Sequence, residues 1–115
     1  MNTDNKAILE KANRAVAAGD NEGFLLFCTD DTKWEFVGEQ TLQGKDAVRQ
    51  YMAKTYTEPP KFNISRVIAD DDFVSVLGKI SLKNEQGIMV NYSYCDVWRF
   101  SDGKMAELRA FVIAE

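Results

Sequence analysis

Hydrophobic positions along the chain repeat with two different periods, and the change comes near its middle. Over residues 5 to 18, NKAILEKANRAVAA, the side chains of Ile8, Leu9, Ala12, Ala15 and Val16 share one helical face, and Gly19 follows as a stop signal. Asp20 is placed to cap a second helix, whose apolar segment FLLFC at 24 to 28 ends where the polar TDDT begins. A short strand is predicted over about residues 32 to 37, TKWEFV, and Gly38 ends it. Helical spacing returns in GKDAVRQYMAKTY, 44 to 56, with Ala47, Val48, Tyr51, Met52 and Thr55 on one side and Asp46 in the first turn, where the helix dipole favours it. Pro59 and Pro60 forbid any extension.

Beyond the prolines the period drops from 3.6 to 2. Phe62, Ile64 and Ile68 alternate in KFNISRVIA, and Val74, Val76, Ile80 and Leu82 alternate in DFVSVLGKISL. YSYCDVWRF and MAELRAFVI complete four strands. The breaks between them, DDD at 70 to 72, NEQG at 84 to 87 and SDG at 101 to 103, are hairpin turns by composition. Three helices and a short strand followed by a four-strand antiparallel meander define an α+β domain spanning residues 1–115, with helices covering one face of the sheet. If the sheet curls, its concave side becomes a pocket.

One position does not fit this apolar alternation. In YSYCDVWRF, residues 92 to 100, the even positions are Tyr92, Tyr94, Asp96, Trp98 and Phe100, so a single carboxylate shares a strand face with four rings. Covered, such a group loses its hydration, and its charged form is disfavoured. Asp96 is therefore a candidate for acid-base chemistry, with a hydrogen-bonded structural network as the alternative. Tyr51, Tyr92 and Tyr94 are either donors to a ligand or packing residues with their hydroxyls tied locally. Trp34, Phe36 and Trp98 are pocket walls or filled core.

Composition narrows the chemistry. The chain has 115 residues, 45% hydrophobic and 28% charged, with a formal net charge of -4 and scattered Lys and Arg, which offers nucleic acid no basic track. No run approaches the roughly 18 apolar residues of a membrane span, and MNTDNKAILEK lacks the order of a signal peptide, so a cytoplasmic protein without membrane association is expected. Cys28, expected in the second helix, and Cys95, in a strand, have no CxxC spacing and read as packing residues rather than a disulfide or zinc site. Histidine is absent, which removes the usual Ser-His and Cys-His arrangements and every histidine-based metal site. No metal and no cofactor are expected.

The order of elements, the pattern GDNEGFLLFCTDDTKWEF followed by GKDAVRQYM, and the ending DVWRFSDGKMAELRAF together resemble the cone-shaped fold of nuclear transport factor 2. Within it the chain is similar to the small SnoaL-like and ketosteroid-isomerase-like proteins, from about residue 5 to residue 113. That resemblance implies three N-terminal helices packed on a curved, mostly antiparallel sheet enclosing a pocket. It leaves function open, because the fold carries isomerases, polyketide cyclases, epoxide hydrolases, dehydratases and members without catalysis. By likeness to ketosteroid isomerase, Asp96 in CDVWRF corresponds to an acid kept neutral so that it can donate a hydrogen bond to a developing enolate. In polyketide cyclases of this fold an acid from the same region is thought to act as a base. Two departures matter. The isomerase's phenol on the first helix is here Ala12, and an ungapped comparison places Glu35 at its general-base position, whereas alternation groups Trp34 with Phe36 on the apolar face. A bulge near Gly38 could re-aim either set. Glu35 is thus the candidate second carboxylate if it faces inward.

Arg99 and Arg109 alternate onto the opposite sheet face, beside Met89, Val97, Glu107 and Phe111. An open face of that kind is expected to form a homodimer, as related proteins do. Two functions follow as expectations. One is a cofactor-free acid-base enzyme acting on an apolar carbonyl or cyclic compound through Asp96 and Glu35; the other is a non-catalytic dimeric module binding an apolar small ligand.

Overall fold

A computed structural model describes residues 4–115. In chain order the elements are α1 (Asn5–Ala17), α2 (Asn21–Leu25), β1 (Cys28–Phe36), β2 (Gln40–Gln43), α3 (Lys45–Thr55), β3 (Lys61–Asp70), β4 (Phe73–Lys83), β5 (Met89–Ser101) and β6 (Lys104–Ala114). The strands form one six-stranded sheet in the order β2-β1-β6-β5-β4-β3. Only β1 and β6 run parallel; every other neighbouring pair is antiparallel. The fold is therefore the expected α+β arrangement of helices on a curved sheet.

Local chemistry explains the helix ends. Asp20 caps α2 by accepting from the Gly23 amide at 2.9 Å. A β-carbon on Gly23 would stand 2.3 Å from the same Asp20 carboxylate, so the cap and the glycine are matched. Arg49 on α3 reaches Glu22 on α2 at 2.7 Å and ties the two helices together at the surface. Among the described residues no helix is long and apolar enough to cross a membrane.

The expected second helix is too long. It ends at Leu25, and Cys28 lies instead at the start of β1, completely buried against the core. Strand β1 also begins four residues before the expected TKWEFV: Cys28 already pairs with Met105 of β6, and the polar TDDT forms an irregular stretch before pairing resumes at Lys33 and Glu107. Thr32 stabilises this irregular stretch: its hydroxyl is buried and donates to the Met105 carbonyl at 3.1 Å. Strand β2, four residues pairing with the end of β1, was not visible as a hydrophobic pattern because only one of its side chains is more than superficially covered. The later strands follow the alternation except in β3, where a register shift between Ile64 and Arg66 turns Val67 inward and leaves the expected Ile68 51% exposed. Asp71 and Asp102 adopt positive φ of 57° and 50° in two of the hairpin turns.

Cross-strand register arranges the helix-facing side of the sheet in successive rows. The innermost row, Trp34, Leu108, Trp98 and Val74, is buried beneath the helices. The next is Phe36, Ala110, Asp96 and Val76. A third holds Val112, Tyr94, Gly78 and Ile64, and a fourth Ala114, Tyr92, Ile80 and Phe62. Burial decreases along this series. The first row with Leu9, Ala12, Val16, Phe24, Val48 and Met52 of the helices is the packed core, and the later rows diverge around a hollow.

Candidate functional site

The hollow is a cavity of about 260 Å³ bounded by the three helices on one side and the sheet rows on the other. A small residue makes room for it: Ala110 stands where a larger side chain would fill the second row. At Gly78 the spacing is tight. A β-carbon there would lie 2.6 Å from the Asn63 carbonyl oxygen and 3.1 Å from the Tyr94 hydroxyl, so Tyr94 lies across the bare glycine backbone of the neighbouring strand.

Aromatic side chains form most of the wall. Trp34 meets Trp98 edge-on with ring centroids 5.9 Å apart, and Phe24 packs on both. Tyr51 of α3 lies against Phe36 at 5.0 Å and against Tyr56 at 6.2 Å. Tyr92 and Tyr94 line the more open end. The sequence-based candidates Trp34, Phe36, Tyr51, Tyr92, Tyr94 and Trp98 therefore all border one space. Tyr56 also borders it and was not singled out, although its spacing of four residues from Met52 places it on the same inward side as the helix ends.

Asp96 points into this cavity from the second row, with Val76 and Ala110 as its cross-strand neighbours. Among the described residues no side chain or backbone group hydrogen-bonds to it, and no cation pairs with it. Burial alone pushes its carboxyl up from 3.8 to about 7. At neutrality both protonation states are accessible, which suits a group that must give and take a proton. The nearby phenols remain protonated: Tyr94 is pushed up to about 12 by burial and secondarily by the Asp96 charge, and burial raises Tyr51 and Tyr56 as well. Each can donate or accept a hydrogen bond.

Glu35 does not join Asp96. Trp34 and Phe36 take the inward positions of β1, as alternation requires, and Glu35 lies on the other face, where Arg109 donates to it at 3.3 Å. No bulge re-aims it, because the Trp34 to Phe36 register with β6 is regular. The expectation of Glu35 as a second carboxylate of the cavity is thus overturned by the greater apolar burial gained from Trp34, which is 3% exposed. Ala12 is fully buried in the core, so α1 supplies no phenol. Besides Asp96, the charged groups on the lining are Glu39, in the β1–β2 turn, and Lys83, at the end of β4 and paired with Glu58.

This cone of helices on a curved sheet is the fold of NTF2-like proteins. Residues 9–108 match the SnoaL-like domain, and the chain belongs to that family. Among solved structures, the epoxide hydrolase/cyclase-like enzyme SalBIII of pyran ring formation in the polyether salinomycin is similar at 23% identity and a TM-score of 0.85, over 94% of this chain and 89% of that one. An NTF2-like protein of unknown function from Burkholderia pseudomallei K96243 shares 18% identity at a TM-score of 0.81, over 95% and 90% of the two chains. TerC, co-crystallised with polyporic acid, shares 17% identity at 0.80, over 95% and 91%. At these identities the likeness is one of fold. No curated protein matches the chain.

Proposed function

We propose that the protein is a small-molecule enzyme of the SnoaL-like type that carries out cofactor-free proton transfer on an apolar carbonyl or cyclic compound, with Asp96 as its acid-base group. The observation that carries this reading is the isolation of Asp96, a carboxyl in an aromatic cavity with no protein partner and a pKa raised to about 7 by burial alone. A structural acid in a core has its hydrogen bonds satisfied by the protein. Asp96 keeps its bonding capacity free for an occupant. Protonated, it donates to a carbonyl oxygen as charge develops there; ionised, it removes a proton from the adjacent carbon. Tyr51, Tyr92 and Tyr94 supply further hydroxyls along the wall, and Trp34, Phe36 and Trp98 hold an apolar ring and keep water out.

The test is conversion of cyclic ketones and enones, read by exchange of the α-proton for deuterium. Asp96→Asn preserves shape and removes the proton carrier, and it should lower the rate by about 10²–10⁴-fold. Wild-type rates that match those of Asp96→Asn would sink the reading.

Ala12 in the core and Glu35 outside favour a second reading, a non-catalytic module that holds an apolar ligand. Either form is proposed to work as a homodimer, since Phe73, Leu77, Met89, Phe111 and Ile113 stand exposed on the outer face of the sheet. A cytoplasmic setting is proposed as well, in keeping with two free thiols.

A further inference from the structure

We propose that the cavity is also a binding site for a protonated amine, with Asp96 as the counter-ion and the surrounding rings as its walls. This goes beyond the catalytic reading and does not depend on it. All six Trp and Tyr residues of the chain border this one space, although they come from β1, α3, the segment after α3 and β5. Indole and phenol rings present a negative face to a cation, and a group of them around a carboxylate is the chemistry that recognises an ammonium. Among the described residues no cation pairs with Asp96. From β4 and β6 its neighbours are Val76 and Ala110; from β5 and α3 come the uncharged phenols of Tyr92, Tyr94 and Tyr51, with Tyr56 beyond them. The one basic residue on the lining, Lys83, lies seven residues along β4 from Val76 and is held by Glu58, while Glu39 adds a second negative charge on the lining. The interior is thus set to draw in a cation and to turn away an anion.

Binding has a definite proton balance. The amine arrives as an ammonium, and any Asp96 that is protonated must release its proton to solvent before the ion pair forms. With the carboxyl at about 7, amine affinity should fall about tenfold between pH 8 and pH 6. A neutral ligand that accepts a hydrogen bond from the protonated acid shows the opposite slope.

The experiment is calorimetric titration of the intact protein with naphthalen-2-ylmethanamine and with its neutral analogue naphthalen-2-ylmethanol, at pH 8 and pH 6. The expected result is at least about tenfold tighter binding of the amine than of the alcohol at pH 8, with the amine affinity itself about tenfold weaker at pH 6. In Asp96→Asn the preference should vanish while the alcohol still binds. Equal affinities at pH 8, a preference that survives in Asp96→Asn, or a failure of both molecules to bind the wild-type protein would each overturn the proposal. The two wild-type titrations decide it even without the variant. Turnover of enones is measured separately, so turnover without amine preference would sink this inference and leave the catalytic reading in place.

Discussion

The two faces of the sheet are built from the same strands one residue out of step, yet they treat acids in opposite ways. On the outer face three carboxylates have a cation. Glu107 accepts from Arg99 at 3.1 Å, Glu35 from Arg109 at 3.3 Å, and Glu115 from Lys79 at 3.0 Å. On the inner face Asp96 has none, and its cross-strand neighbours are apolar. A paired, solvated carboxylate adds little to stability and asks for nothing more. An unpaired one in a cavity costs stability and retains its chemistry. The difference between the faces, rather than the mere presence of acids, is what supports placing the proposed chemistry on the inner one.

Three substitutions would sharpen or break that contrast. The largest effect is expected from Trp34→Ala, which removes a 3% exposed ring from the innermost row and should cost about 3–5 kcal/mol in denaturant unfolding. Next comes Asp96→Leu, with the opposite sign. The folded-state pKa of Asp96 lies above its unfolded value, so the unfolded chain gives up this proton first and stability falls as pH rises from about 4 to about 7. Asp96→Leu should therefore stabilise the protein by a few kcal/mol at pH 8 and by much less at pH 4; a loss of stability at pH 8 would mean that Asp96 holds a structural network. The smallest effect belongs to Glu35→Gln, expected to change stability by less than about 1 kcal/mol and to leave any proton-exchange rate unaltered. A large loss of rate there would erase the distinction between the faces.

Much of this was legible in the sequence, for identifiable reasons. The period-2 alternation from Phe62 onward placed β3 to β6 and put Asp96 among rings, because strand geometry fixes which residues share a face; only the register shift after Ile64, which turns Ile68 outward, escaped it. The same rule grouped Trp34 with Phe36 and correctly set Glu35 apart from them, whereas ungapped likeness to an isomerase suggested Glu35 as a base. What escaped was non-local. Residues TDDT read as a break after a helix, so Cys28 was assigned to that helix, whereas Cys28 pairs with Met105 on β6 and Thr32 donates its hydroxyl to the same residue. The isolation of Asp96 was also beyond the sequence, since it depends on Val76 and Ala110 being opposite rather than on any neighbour in the chain.

The two thiols occupy opposite circumstances as well. Cys28 is sealed in the core, its thiol pushed up to about 12 by burial, so reagents that need a thiolate find it inert. Cys95 sits on the outer face between Leu77 and Phe111, among the apolar side chains proposed to meet a second copy. The chain thus carries its own reporter, one silent sulfur and one at the centre of the open surface. Maleimide labelling of Cys95 should slow as protein concentration rises, and a rate independent of concentration would show that copies do not associate through this face.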